Sequence, residues 1–143
     1  MDEIRTFDPT DRAAYRHWSE ERVRFADLDA LGHVNNNAIG VYFESGRLEF
    51  FRTVGLHEEG TSQATVVARL AMEFLAEIRY PSRLDIGTRP VRVGRSSFTY
   101  RQGLFVDGRC VATAETVSVL FNLRTRRSEP LSDEQRGRIA AWL

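Results

Sequence analysis

Lysine is absent from this chain. All twenty of its basic residues are arginine, set against twenty acidic ones. Without an ε-ammonium group there is no Schiff-base nucleophile, no pyridoxal anchor and no Walker-type phosphate loop. Any phosphate has to be met by guanidinium or by backbone N–H. Cysteine occurs once, at Cys110, which excludes an intrachain disulfide and a cysteine-built metal cluster. No apolar run nears the ~20 residues of a membrane span, and the first residues carry no signal-peptide core. The balanced charge creates no field that would draw in nucleic acid or a membrane surface. These absences lead us to expect a cytoplasmic protein of 143 residues, long enough for one domain with its own core.

What the chain does have is concentrated in residues 25–55. Two carboxylates, Asp27 and Asp29, precede Gly32, His33 and the run Asn35, Asn36, Asn37. Ile39, Phe43, Gly46, Phe50 and Val54 then recur at helical spacing, with Val41, Leu48 and Phe51 on a second apolar face. A helix apolar on more than one side is expected to be buried. Gly40 and Gly46 each cost such a helix about 1 kcal/mol against Ala, which points to close packing at both. The Asn run suits the N-cap and Gly55 the C-terminal stop. A polar loop thus delivers side chains to the positive end of a buried helix.

Elsewhere the pattern is that of strands. Residues 22–25 alternate like a short strand entering the Asp loop. Residues 57–63 read as a polar loop. Val66, Ala68, Leu70, Met72, Phe74, Ala76 and Ile78 alternate with mostly polar residues, predicting one long strand with a single apolar face, ended by Pro81. Val91 and Val93 predict a third strand, interrupted at Gly94. Residues 97–106 and 110–122 predict a hairpin turning at Asp107 and Gly108. In its second arm Val111, Thr113, Val117, Val119 and Phe121 share one face, and the smaller Ala112, Ala114 and Ser118 the other. Ser132 is expected to cap a last short helix near Trp142. Residues 1–18 read as an extension that Tyr15 and Trp18 dock onto the body, and residues 19–143 as a single domain. The arrangement expected is α+β, an antiparallel sheet wrapped around one helix.

Phe25, Asp27, Asp29, Gly32, His33, Val34, Asn35 and Asn36, followed on the helix by Phe43, Glu44 and Arg47, carry a resemblance. They resemble the hotdog-fold acyl-CoA thioesterases of the 4-hydroxybenzoyl-CoA thioesterase type, over residues 22–122. The resemblance implies a hotdog fold, a homodimer or homotetramer, and active sites between subunits. It implies an acyl-CoA or acyl-carrier-protein thioester as substrate, with no cofactor beyond the coenzyme A of the substrate itself. It makes Asp29 the catalytic carboxylate and the Asn36 backbone N–H the donor that polarises the thioester carbonyl. His33 and the Asn run depart from the more apolar founding branch, which bears on substrate rather than on reaction.

The residues themselves leave further readings open. From spacing alone Asp29 reads as a loop or capping carboxylate, and Asp27 as structural. His33 is read as orienting Asp29, lining the acyl pocket or bonding backbone, and Asn35 as positioning water or capping the helix. Glu44 points either into a cleft at the subunit boundary or to Arg47 one turn on. Asp27, Asp29 and His33 lack the partner cluster of a metal site, so none is expected. Arg83, Arg89, Arg92, Arg95 and Arg101 are candidates for CoA phosphates. Of these, Arg95 with Ser96 and Ser97 is preferred, because a Gly94 bend presents them together. A hotdog hydratase or dehydratase, and a non-catalytic acyl-thioester binding module, are the alternatives to hydrolysis.

Overall fold

The computed structural model describes residues 5–56 and 59–143; His57 and Glu58 of the loop expected at 57–63 lie outside the described residues, as does the start of the extension. Five long strands, β1 (His17–Arg22), β2 (Gln63–Phe74), β3 (Arg83–Val93), β4 (Ser97–Val106) and β5 (Arg109–Asn122), form one antiparallel sheet in the order β1-β3-β4-β5-β2. A two-residue β6 (Arg127–Ser128) adds to β5. The sheet wraps the 18-residue helix α1 (Asn36–Thr53), and α2 (Asp133–Ala140), capped by Ser132, closes one end. This is the α+β hotdog arrangement. No helix among the described residues is long and apolar enough to cross a membrane.

The buried face of α1 is the one its periodicity marks: Ile39, Phe43, Gly46 and Phe50, with Val54 at its C-cap. Gly46 is required by contact. A Cβ there would stand 2.7 Å from Ile86 Cγ2 and 2.9 Å from Gln102 Nε2. Gly40 is not: its Cβ would meet only Met72, at an ordinary 3.6 Å.

Several expected boundaries move. The first strand is His17–Arg22, paired with β3, so the boundary expected after residue 18 falls inside β1. The strand expected at 22–25 is absent. Phe25 to Asp27 instead make a short 3-10 turn, because the Asp27 carboxylate accepts the Arg24 N–H and pulls the chain round. β3 begins at Arg83, well before Val91.

The long strand ends at Phe74 rather than continuing to Ile78, since Leu75 and Ala76 both donate to the Val111 carbonyl and leave the ladder. Nor does it keep one apolar face. A bulge between Val67 and Arg69 shifts the register, so Val66 pairs with Val119 on the convex side. Val67, Leu70, Met72 and Phe74 pair with Ser118, Thr116, Ala114 and Ala112 on the concave side. In β5 it is the small face, Ala112 to Leu120, that meets the helix side, while Val117, Val119 and Phe121 stay half-buried on the convex side.

Before β1 the chain crosses the convex side of β3 and β4. Tyr15, 5% exposed, fills a slot where a Cβ at Gly87 or Gly103 would collide with it, and its Oη donates to the Pro9 carbonyl.

His17 is buried between Phe50 and Trp142, with Nε2 3.0 Å from Thr53 Oγ1. Burial holds its pKa below the ordinary 6.5, against a smaller opposite pull from Glu49. The unfolded chain therefore takes up the proton first as pH falls. Stability contributed by neutral His17 is present above about 6.5 and is lost as pH drops from there through the folded pKa. Melting temperature should fall between pH 7 and 5, and fall less in His17→Gln; equal pH slopes would contradict this.

Candidate active site

The loop between the 3-10 turn and α1 is pinned at both ends. Leu28 and Val34 form an isolated bridge, Asp29 N–H donates to the His33 carbonyl at 2.8 Å, and Val34 N–H to the Ile78 carbonyl. Asn35 N–H donates to the Asp27 carbonyl at 2.8 Å. The Asp27 carboxylate also accepts the Tyr42 hydroxyl, tying the loop to α1. Burial, reinforced by that bond, pushes the Tyr42 phenol up, so it stays a donor. Asp27 is thus a structural residue by its contacts.

Asp29 is exposed, and one of its oxygens is fixed. Oδ1 accepts the backbone N–H of Leu31 at 2.9 Å and of His33 at 3.2 Å. Oδ2 has no partner among the described residues. A carboxylate held by one oxygen and free at the other is oriented yet available.

The start of α1 leaves one donor free. Asn35 caps it, its Oδ1 accepting Asn37 N–H at 2.8 Å, and its carbonyl takes the N–H groups of Ala38 and Ile39. Asn36 N–H is left without an acceptor among the described residues. It lies at the positive end of the helix, where such donors favour negative charge. Asp29 and Asn36 therefore sit at the two ends of one closed loop.

The remaining candidates divide. His33 touches Asp29 through its backbone only; its ring Nε2 lies 3.3 Å from Glu77 Oε2. The alternation that carries the strand to Ile78 puts Glu77 on its polar face and gives it no site role, whereas the strand ends at Phe74. An open cleft of about 380 Å³ lies beside the loop, lined by Leu28, Leu31, Gly32, His33, Arg79 and Tyr80.

Glu44 is exposed and makes no ion pair among the described residues, so the pairing with Arg47 expected within the helix does not form. Arg47 instead turns under α1 and is 6% exposed. Burial pushes the neighbouring Tyr100 phenol up to about 12, while its bond with Ser118 and the Arg47 charge pull it down.

Arg95, Ser96 and Ser97 are not brought to Asp29 within one chain. They form the β3–β4 turn, held by Leu131 N–H on the Arg95 carbonyl and Leu120 N–H on that of Ser96. That turn is at the C-terminal end of α1, about 27 Å of helix from Asn36. Of the other arginines, Arg101 and Arg83 are engaged by Glu115 and Glu20, and Arg89 by the Ala14 carbonyl. Among the described residues no three His, Cys, Asp or Glu side chains converge as metal ligands.

A curved antiparallel sheet around one helix, with a fixed carboxylate and a free N–H at the helix start, defines the class: a hotdog protein of thioesterase type. The chain belongs to the thioesterase-like superfamily, whose family model matches residues 23–143.

A thioesterase from Thermus thermophilus, solved in complex with coenzyme A and Zn, is 34% identical, with a TM-score of 0.79 over 90% of this chain and 95% of that one. The PA5185 protein of Pseudomonas aeruginosa PAO1 is 27% identical, with a TM-score of 0.84 over 99% and 96%. Among curated proteins, the chloroplast acyl-acyl carrier protein thioesterase ATL2 of Arabidopsis thaliana is 30% identical over 92 residues. That match covers 62% of this chain and 49% of ATL2, so the chain spans about half of that relative.

Proposed function

We propose that the protein hydrolyses an acyl-CoA or acyl-carrier-protein thioester to a free acid and a thiol, using the loop of residues 27–36. The observation that carries this is the pairing of Asp29, fixed at Oδ1 and free at Oδ2, with the unspent N–H of Asn36. In the water-first route Oδ2 takes a proton from water as the water oxygen attacks the carbonyl carbon. The negative charge forms on the carbonyl oxygen and is met by the Asn36 N–H and the helix end. Collapse breaks the C–S bond, and the thiolate takes the proton back from Asp29. In the covalent route Oδ2 itself attacks the carbonyl carbon, the C–S bond breaks as the thiolate leaves, and water hydrolyses the resulting anhydride, releasing the acid, restoring the Asp29 carboxylate and supplying the thiolate's proton.

In this reading Asn35 presents the free donor by capping its neighbours, and His33 with Glu77 walls the entrance. The acyl group lies between α1 and β2, where the concave face is left uncovered: Leu70 is 40% and Phe74 45% exposed there, with Val41 of α1 56% exposed above. A second copy of the chain, added at the open β2 edge, would cover this gap and remove an unpaired edge strand. Its Arg95, Ser96 and Ser97 are then candidates for the coenzyme A phosphates. The coenzyme A bound by the Thermus relative supports a thioester of that kind. No cofactor enters these steps.

The test is thiol release, followed with a thiol-reactive dye across acetyl- to palmitoyl-CoA and aryl-CoA esters. Wild type should show a preferred acyl group, and Asp29→Asn should slow its hydrolysis by at least ~10²-fold. Equal rates in the two proteins would remove Asp29 from the reaction. Hydration of an enoyl-CoA with its thioester intact would assign the site to a hydratase instead.

A further inference from the structure

Arg47 is nine-tenths buried, yet no described residue of its own chain neutralises it. Its Nη1 is fully enclosed without a hydrogen-bond partner, and no carboxylate reaches the guanidinium among the described residues. Its surroundings on β4 and β5 are neutral. Tyr100 and Ser118 bond each other, and Thr116 Oγ1 is itself buried without a partner. A buried cation is strongly disfavoured unless an anion and acceptors meet it. The single chain is electrostatically incomplete here.

The missing charge has a place to come from. Gly40, Glu44 and Arg47 follow one another at helical spacing on one flank of α1. Gly40 shows which flank this is, because the nearest atoms to it are those of Met72 on β2. The flank faces the uncovered gap, where Val67, Leu70 and Phe74 remain exposed beside a strand with no neighbour on its outer edge. Glu44 follows on the same flank, exposed and without an ion pair among the described residues.

Building on the reading that two copies join at this edge, we propose that the partner subunit's Glu44 neutralises Arg47, and the reverse. A two-fold axis through the β2 edge makes the contact self-complementary. It sets the two α1 helices antiparallel, flank to flank. The point midway between Glu44 and Arg47 falls between Ser45 and Gly46, within one residue of the midpoint of α1 (Asn36–Thr53), and an axis passing there crosses the two helices near their middles. Each Glu44 then lies opposite an Arg47, and two ion pairs flank the axis. The dimer contact is thereby selected by charge as well as by apolar cover.

Sedimentation equilibrium of the substrate-free protein tests this independently of catalysis. Wild type should be dimeric. Glu44→Arg changes a side chain exposed in the single chain, so its circular dichroism should match wild type. Its dimer dissociation constant should rise by at least ~30-fold, the lower end for loss of a buried charge pair. Arg47→Glu should do the same if it folds, and the double exchange Glu44→Arg with Arg47→Glu should recover most of the association. Undisturbed association of Glu44→Arg, a monomeric wild type, or a folded double exchange that stays dissociated would each overturn the proposal. So would intact association in Glu44→Arg together with an Arg47→Glu that loses turnover only of acyl groups ending in a carboxylate, because Arg47 would then face a ligand.

Discussion

Asn36→Pro should fold as wild type does and release thiol about 10²–10³ times more slowly, the range for removing one oxyanion donor. Proline is well tolerated as the first residue of a helix, where the lost N–H serves no helical bond. It also demands an extended residue before it, and Asn35 already has φ −63° and ψ 140°. The Asn35 side chain still caps Asn37, and its carbonyl still takes Ala38 and Ile39. One proton-bearing nitrogen is removed and little else. Asn36→Ala keeps that N–H and should stay within a few-fold of wild type. Full activity in Asn36→Pro, with an unchanged circular dichroism spectrum, would show that the carbonyl oxygen is polarised by some other group.

The same substitution at two glycines of α1 should have opposite signs. Gly40→Ala should stabilise by up to about 1 kcal/mol, the helix-propensity difference, because its methyl meets only the flexible Met72 thioether at 3.6 Å. Gly46→Ala should destabilise by about 1–3 kcal/mol, as overpacking does in a tight core. Ile86 Cγ2 at 2.7 Å is a branched side chain that is fully buried and cannot turn aside. Gln102 Nε2 is held by the Phe43 carbonyl and Thr88 Oγ1. Urea unfolding of the two variants beside wild type checks both signs. Two stabilised variants would mean that α1 can lift off the sheet at no cost.

Helix α1 was readable because its core face repeats at 3.6 residues with large side chains on it, and its N-cap asparagines carry their meaning locally. The Asp29 loop was readable through residue types tied to short-range geometry. Non-local features were not. The inward face of β5 carries mostly small residues toward the helix side of the sheet, so the larger residues that periodicity favours point away from the helix. Arg47 reads as a surface partner of Glu44 by spacing, yet it is buried with its charge acting on Tyr100. Glu77 meets His33 because the chain leaves the ladder at Leu75, a departure set by the Val111 carbonyl on another strand.

The bulge at Ala68 acts as a parity switch in the chain. Upstream of it, odd-numbered residues look into the concave side; downstream, even-numbered ones do. A strand that kept Ala68 but paired it with β5 in regular alternation, with no bulge, would turn over everything on one side of it. Leu70, Met72 and Phe74 would go out to water, and Arg69, Ala71 and Glu73 would line the gap beneath α1. A chain one residue shorter at this point needs no bulge and keeps the same faces. Absorbing the extra residue in a bulge therefore keeps Leu70, Met72 and Phe74 on the side of the gap beneath α1, and losing the bulge while keeping Ala68 would make that gap polar.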